Sequence, residues 1–303
     1  MKSDIARLDP WGFVFRRGLI MSKVEIYYFS GTGNSLHLAR ELQKRIPETK
    51  LIPMVSLLDE DVIETKGETI GFVFPIYVSS LPVPVRRFLK KINLKPTQYI
   101  FAITTNCGYP GKVNIHLEKL LKKRGKSIDA YFTLKMMGNS PKGVMPSFMI
   151  VQDWASKITN EAILVLENKV QNELDTICKV IINKEKNIGK DNPNPPNFFM
   201  KYVDRLLQLP IEWASEHTHS KINFYADSSC TGCNLCEKVC LSKKIKMNNG
   251  KPLWQKDIKC YYCYACFNFC PEQSILVKNY THKDGRYYHT DVTAKDIAEQ
   301  KRS

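Results

Sequence analysis

The hydrophobic positions of the first half of the chain alternate between two periods. Short, nearly continuous apolar runs recur at 24–29, 50–54, 69–75, 99–104 and 130–136, the pattern of strands buried on both faces. Between them, apolar residues return at helical spacing: Leu38, Ala39, Leu42 and Ile46, then Val85, Phe88, Leu89 and Ile92, then Val113, Leu117, Leu120 and Leu121. Strands alternating with amphipathic helices predict an α/β domain with a doubly wound parallel sheet of five strands.

Downstream the period stays helical. Trp154, Ile158, Ala162, Leu166, Val170, Leu174, Ile177 and Ile181 predict one long helix over 153–188, covering the sheet and running beyond it. Cys178 falls on its apolar face and reads as core. The stretch Gly189-Lys190-Asp191-Asn192-Pro193-Asn194-Pro195-Pro196-Asn197 ends that helix and marks a domain boundary. Phe199, Val203, Leu206, Leu207, Ile211 and Trp213 suggest a bridging helix before a second, smaller domain. The expected division is an extension at 1–20, a first domain at 21–190, a linker with bridging helix at 191–219, a small domain at 220–280 and a tail at 281–303. Residues 1–20 lack the architecture of a secretory signal and read as a disordered extension or the product of a start upstream of Met21. The tail reads as partly disordered or as docking surface.

The small domain carries the most specific chemistry. It reads Cys230-x-x-Cys233-x-x-Cys236-x-x-x-Cys240 and, twenty residues after Cys240, Cys260-x-x-Cys263-x-x-Cys266-x-x-x-Cys270-Pro271. Structural zinc would not require a third Cys at the same spacing. Disulfides among cysteines so close in one loop have few unstrained pairings. The run resembles that of bacterial dicluster ferredoxins written twice, which implies two [4Fe–4S] clusters held by thiolates. In that pattern the fourth Cys of each run ligates the other cluster, giving Cys230, Cys233, Cys236 and Cys270 for one and Cys260, Cys263, Cys266 and Cys240 for the second. Leu241 stands where Pro would follow the first run, a departure that removes no ligand. The second run is wrapped in Tyr261, Tyr262, Tyr264, Phe267 and Phe269, whereas the first has Thr231, Asn234 and Leu235. A hairpin around Asn248-Asn249-Gly250 connects the runs. His217 and His219 just before them read as surface residues, since all eight thiolates are present.

A second site lies where the first strand enters the first helix. Ser30-Gly31-Thr32-Gly33-Asn34-Ser35 is a glycine loop with hydroxyls opening a helix, an anion site built from amides and the helix dipole. It is neither Gly-x-Gly-x-x-Gly nor a Walker loop, and it contains no Lys or Arg. The run from Phe29 to Ser35 resembles the phosphate loop of flavodoxins, which binds the phosphate of FMN. The resemblance implies sheet order 2-1-3-4-5, with the ligand beyond the carboxyl ends of strands one and three. It adds two ring-flanking loops, with candidates Pro75, Ile76, Tyr77 and Val78 in one and Asn106, Cys107, Gly108, Tyr109 and Gly111 in the other. Tyr77 and Tyr109 are the candidates for stacking on the flavin ring.

Composition narrows the class. With 43% hydrophobic and 25% charged residues among 303, and no apolar run of spanning length, the chain reads as a soluble cytoplasmic protein whose thiols stay reduced. Its net charge of +15 is scattered rather than gathered in a stripe, favouring acidic redox proteins over nucleic acid as partners. The whole resembles the flavodoxin–dicluster ferredoxin fusion proteins of anaerobic microbes. It implies FMN and two [4Fe–4S] clusters in one polypeptide that relays electrons for a partner oxidoreductase. Direct reduction of a small molecule at the flavin is the alternative, although the sequence offers no acid–base pair for it. A redox-responsive binding module is the third reading. No nicotinamide site is evident, so NAD(P)H alone is not expected to reduce the protein.

Overall fold

The computed structural model describes residues 24–77, 79–108, 110–138, 154–188, 224–278 and 285–302. Its larger part opens with β1 (Val24–Tyr28), α1 (Asn34–Arg45) and β2 (Thr49–Pro53), followed by β3 (Ile63–Glu64), β4 (Thr69–Pro75) and α2 (Val83–Lys91). Next come β5 (Ile92–Asn93), β6 (Tyr99–Asn106), α3 (Val113–Lys122) and β7 (Ala130–Lys135). Five strands form one sheet in the order β2-β1-β4-β6-β7, every pair parallel. With the two-residue strands β3 and β5, which pair only with each other, set aside, this is the order 2-1-3-4-5 of a flavodoxin-like fold. The two short strands were not visible as apolar runs because each is only two residues long.

The central strands are buried along their length because helices cover both faces, which is why they read as continuous rather than alternating hydrophobics. Gly71 in β4 leaves room for the Phe101 ring on β6; a Cβ there would lie 2.2 Å from it. Small and large residues thus interlock across neighbouring strands.

The helix expected over 153–188 is two, α4 (Trp154–Lys157) and α5 (Asn160–Ile182). Thr159 breaks it by adopting an extended conformation and capping α5, its hydroxyl accepting from the Ala162 amide at 3.1 Å. Val170, Leu174, Ile177, Cys178 and Ile181 pack inward, whereas Leu164 and Val165 remain exposed. Only the C-terminal half of α5 therefore covers the sheet.

The smaller part has β8 (Phe224–Ala226) paired antiparallel with β11 (Ile275–Val277). Between them lie α6 (Leu235–Val239), the hairpin β9 (Ile245–Asn248) and β10 (Lys251–Trp254), and α7 (Ala265–Asn268). The hairpin turns at Asn249 and Gly250, both at positive φ, as expected for Asn-Gly. Each short helix follows a residue in the left-handed region, Asn234 or Tyr264, at equivalent positions of the two cysteine runs. The proposed linker and bridging helix at 191–219, including His217 and His219, and the extension at 1–20 lie outside the described residues.

The tail departs from expectation. Residues 285–302 are neither free nor peripheral. They carry α8 (Ala294–Glu299), begun by a capping box between Thr293 and Asp296, and its Ile297 is fully buried.

Candidate functional site

At the carboxyl end of β1 the chain turns through the glycine–hydroxyl loop into α1. Gly33 is the N-cap at φ 103°, a left-handed conformation that suits glycine, and no side chain caps the helix. The loop's own polar groups are largely engaged. The Gly33 amide donates to Ser30 Oγ at 3.1 Å, and Ser35 Oγ lies 3.0 Å from Thr105 Oγ1. Asn34 donates to the Met137 carbonyl at 2.6 Å and accepts from the Tyr287 hydroxyl at 2.8 Å. What remains is a helix start whose first amides have no side-chain cap, beside the Thr32 hydroxyl. Uncapped N–H groups at a helix N-terminus form a donor set for an anion.

The predicted neighbours are close by. Tyr77 and Ser80 exchange backbone hydrogen bonds at 3.1 and 3.0 Å across a tight turn, and the Ile76 amide donates to the Thr105 carbonyl at 2.8 Å. The loops after β4 and β6 therefore meet, with Gly111 at φ 66° against Ser79. Asn106 anchors the second loop by donating to Thr133 Oγ1 at 2.8 Å and accepting from the Gly108 amide at 3.1 Å. Gly108 itself is exposed, and Cys107 sits against Gly138 with its thiol pKa raised by burial. Val78 and Tyr109 lie outside the described residues. Tyr77 does not stand open for stacking. Its ring meets Phe29 edge-on, and its hydroxyl would be 2.7 Å from a Cβ at Gly31. Desolvation, with Cys263 nearby, holds its phenol well above its ordinary pKa.

The eight cysteines of the small domain fall into two neighbourhoods. One cavity is lined by Cys230, Cys233, Cys236 and Cys270, together with Met247 and Ile275. Burial pushes the Cys236 thiol up to about 11, with Cys270, Cys233 and Cys230 adding to the effect. In the other neighbourhood, burial raises Cys263 to about 12, with Cys260 and Cys240 close by. It also holds the Cys266 thiol well above its ordinary value, with Cys240, Cys260, Cys263 and Cys236 adding to the effect. Buried thiols that repel one another when ionised need a cation to become thiolates, the electrostatic condition for a metal–thiolate centre.

The two neighbourhoods face different ways. Cys233 and Thr231 of the first are exposed. The second is applied to the glycine–hydroxyl loop: a Cβ at Gly31 would lie 2.5 Å from the Cys263 carbonyl oxygen and 2.8 Å from Cys263 Cβ. Phe29, which precedes the loop, also takes Tyr261 of the second run edge-on at 6.4 Å between centroids.

Residues that sequence reasoning missed complete the site. His37 and His289 stack at 3.8 Å, and Glu167 on α5 reaches both Nε2 atoms, at 2.8 and 3.3 Å. The hydrogen bonds to His289 and His37 hold the Glu167 carboxyl well below the usual carboxylate range. The only local signal in this region was the Thr293-to-Asp296 capping box.

Residues 229–275 match the 4Fe–4S dicluster domain family. No curated protein matches the chain significantly. Among solved structures, a flavoprotein in complex with FMN from Lactobacillus acidophilus NCFM is 14% identical, covering 37% of this chain and 93% of that one, at a TM-score of 0.30. The rubredoxin oxygen:oxidoreductase of the anaerobe Desulfovibrio gigas is 18% identical over 54% of this chain and 36% of its own, at a TM-score of 0.32. The Trp repressor binding protein of Bacillus subtilis is 17% identical over 40% of this chain and 87% of its own, at 0.29. The chain carries a parallel sheet in the flavodoxin-like strand order, followed by residues that match a 4Fe–4S dicluster domain. No described helix is long and apolar enough to cross a membrane.

Proposed function

We propose that this protein relays electrons between two [4Fe–4S] clusters and one FMN for partner redox proteins. The observation that carries the reading is the contact of the Cys263 backbone with Gly31. It brings the ligand loop of one thiol set against the loop suited to a flavin phosphate. Cys230, Cys233, Cys236 and Cys270 would hold the outer cluster, and Cys240, Cys260, Cys263 and Cys266 the inner one. The Thr32 hydroxyl and the amides at the start of α1 would hold the phosphate, with the loops of Pro75–Val78 and Asn106–Gly111 near the ring. When bound, the clusters pass single electrons and the flavin handles two, so the pair couples one-electron to two-electron carriers.

The protein's own part is geometric and electrostatic. Tyr77, Tyr261 and Phe29 keep water out of the contact between the halves, which strengthens every local dipole and shifts potentials. Exposed Cys233 marks where a partner would approach the outer cluster, and the net charge of +15 favours an acidic partner. Anaerobic purification followed by iron, sulfide and flavin quantification tests the reading. It predicts about eight irons and one FMN per chain; about four irons, or no FMN, would contradict it.

A further inference from the structure

The C-terminal segment 285–302 makes more bonds to the phosphate loop than any sequence signal foretold. Gln300, fully buried, grips Ser30 from both sides: its Oε1 accepts from the Ser30 amide and its Nε2 donates to the Ser30 carbonyl, each at 2.9 Å. The His289 amide donates to the Thr32 carbonyl at 2.8 Å. The Tyr287 hydroxyl donates to Asn34 Oδ1, as described. Val292 and His289 close over Gly33, where a Cβ would come within 2.9 and 3.0 Å of theirs. Four of the six loop residues are thereby fixed by a segment more than 250 positions away.

The segment is anchored on both halves of the molecule. Toward the sheet domain, Arg40 pairs with Asp296, and the His37–Glu167–His289 stack joins α1, α5 and the segment. Toward the small domain, Arg286 lies over the Phe267 ring at 3.9 Å and donates to the carbonyls of Gln273 and Ile275 at 2.6 and 2.9 Å. Tyr287 bridges the halves by itself: its amide donates to Asn268 Oδ1 at 3.0 Å while its hydroxyl holds Asn34.

A loop without Lys or Arg must hold an anion by the aim of its amides and hydroxyls, and aim depends on backbone conformation. We infer that residues 285–302 are a clasp that shapes the phosphate loop, with Tyr287 and Gln300 as positioning residues for the phosphate of a flavin mononucleotide. Gln300 occupies the Ser30 amide, leaving the start of α1 and Thr32 to face the ligand. The clasp rests on the proposed FMN reading and adds its dependence on residues 285–302.

The test compares FMN with riboflavin, which lacks the phosphate, on the full chain and on Tyr287→Phe and Gln300→Leu, after flavin removal and with iron content checked. Tyr287→Phe keeps the ring and its packing and removes only the hydroxyl. Each variant should weaken FMN about tenfold, the scale of one or two lost hydrogen bonds, and leave riboflavin affinity within about twofold. Unchanged FMN affinity in both variants, or equal weakening of both flavins, overturns the clasp while leaving FMN binding intact. A wild-type chain that binds no FMN overturns the flavin reading itself.

Discussion

The two cysteine runs share spacing and helix geometry, yet they occupy opposite environments. The first keeps Thr231 and Cys233 exposed and is lined by Asn234, Met247 and Ile275. The second packs with Tyr261 and Phe269, both buried, and its Cys263 backbone lies on Gly31. The repeated motif thus leaves one thiol set opening to the surface at Cys233 and applies the other to the glycine–hydroxyl loop. What decides which is which is the aromatic sequence between the cysteines and the glycine that admits them.

The largest way to break this asymmetry is at the contact itself. Gly31→Ala adds a methyl within 2.5 Å of the Cys263 carbonyl, a backbone atom that cannot step aside cheaply. Transfer between clusters and flavin should slow by roughly a hundredfold as the halves separate, read by flash photoreduction of protein saturated with FMN, while iron content persists.

Phe267→Ala strikes the small core that both runs share. Phe267 is 1% exposed and carries the Arg286 guanidinium on its face. The substitution should cost about 3–5 kcal/mol of stability, measured by denaturant unfolding of the anaerobic protein. Leu253→Ala, on the outer hairpin and 54% exposed, should cost within about 0.5 kcal/mol. If the two costs are alike, the buried ring is not what holds the small domain together.

A smaller effect concerns pH. Burial pulls the Asp296 carboxyl upward, but Arg40 and Thr293 outweigh it and bring the group down to about 2. A depressed folded-state pKa contributes stability above the ordinary carboxylate value and loses it as pH falls through the folded value. Amide-exchange protection of residues 294–300 should therefore decline between about pH 4 and pH 2. Asp296→Asn should lose that pH dependence; a decline unchanged in the variant would assign the effect to another group.

Much of this was legible in the chain because it is written locally. Apolar strands, amphipathic helices, the glycine–hydroxyl loop and both cysteine runs each occupy a short contiguous stretch. The five-stranded parallel sheet followed from that alternation and its order from the flavodoxin resemblance of Phe29–Ser35, and residues 229–275 match a dicluster family. What escaped is long-range. Gln300 has no periodicity or motif that would pair it with Ser30, and stacked His37 and His289 are 252 positions apart. Ser30, Asn34 and Ser35 read as phosphate ligands from their types, yet their side chains bond within the protein. A hydroxyl's partner is set by tertiary packing, which spacing does not encode. Tyr77 likewise read as a stacking candidate from its type, and spacing does not show that its ring meets Phe29 edge-on and stays half-buried.

The central claim is that the inner thiol set connects to the flavin. After flash photoreduction, flavin bleaching should contain a phase whose rate is independent of reductant concentration. Cys260→Ser, in the inner set, should abolish that phase, and Cys233→Ser, in the outer set, should preserve it. Survival of the phase in Cys260→Ser together with its loss in Cys233→Ser would contradict the account.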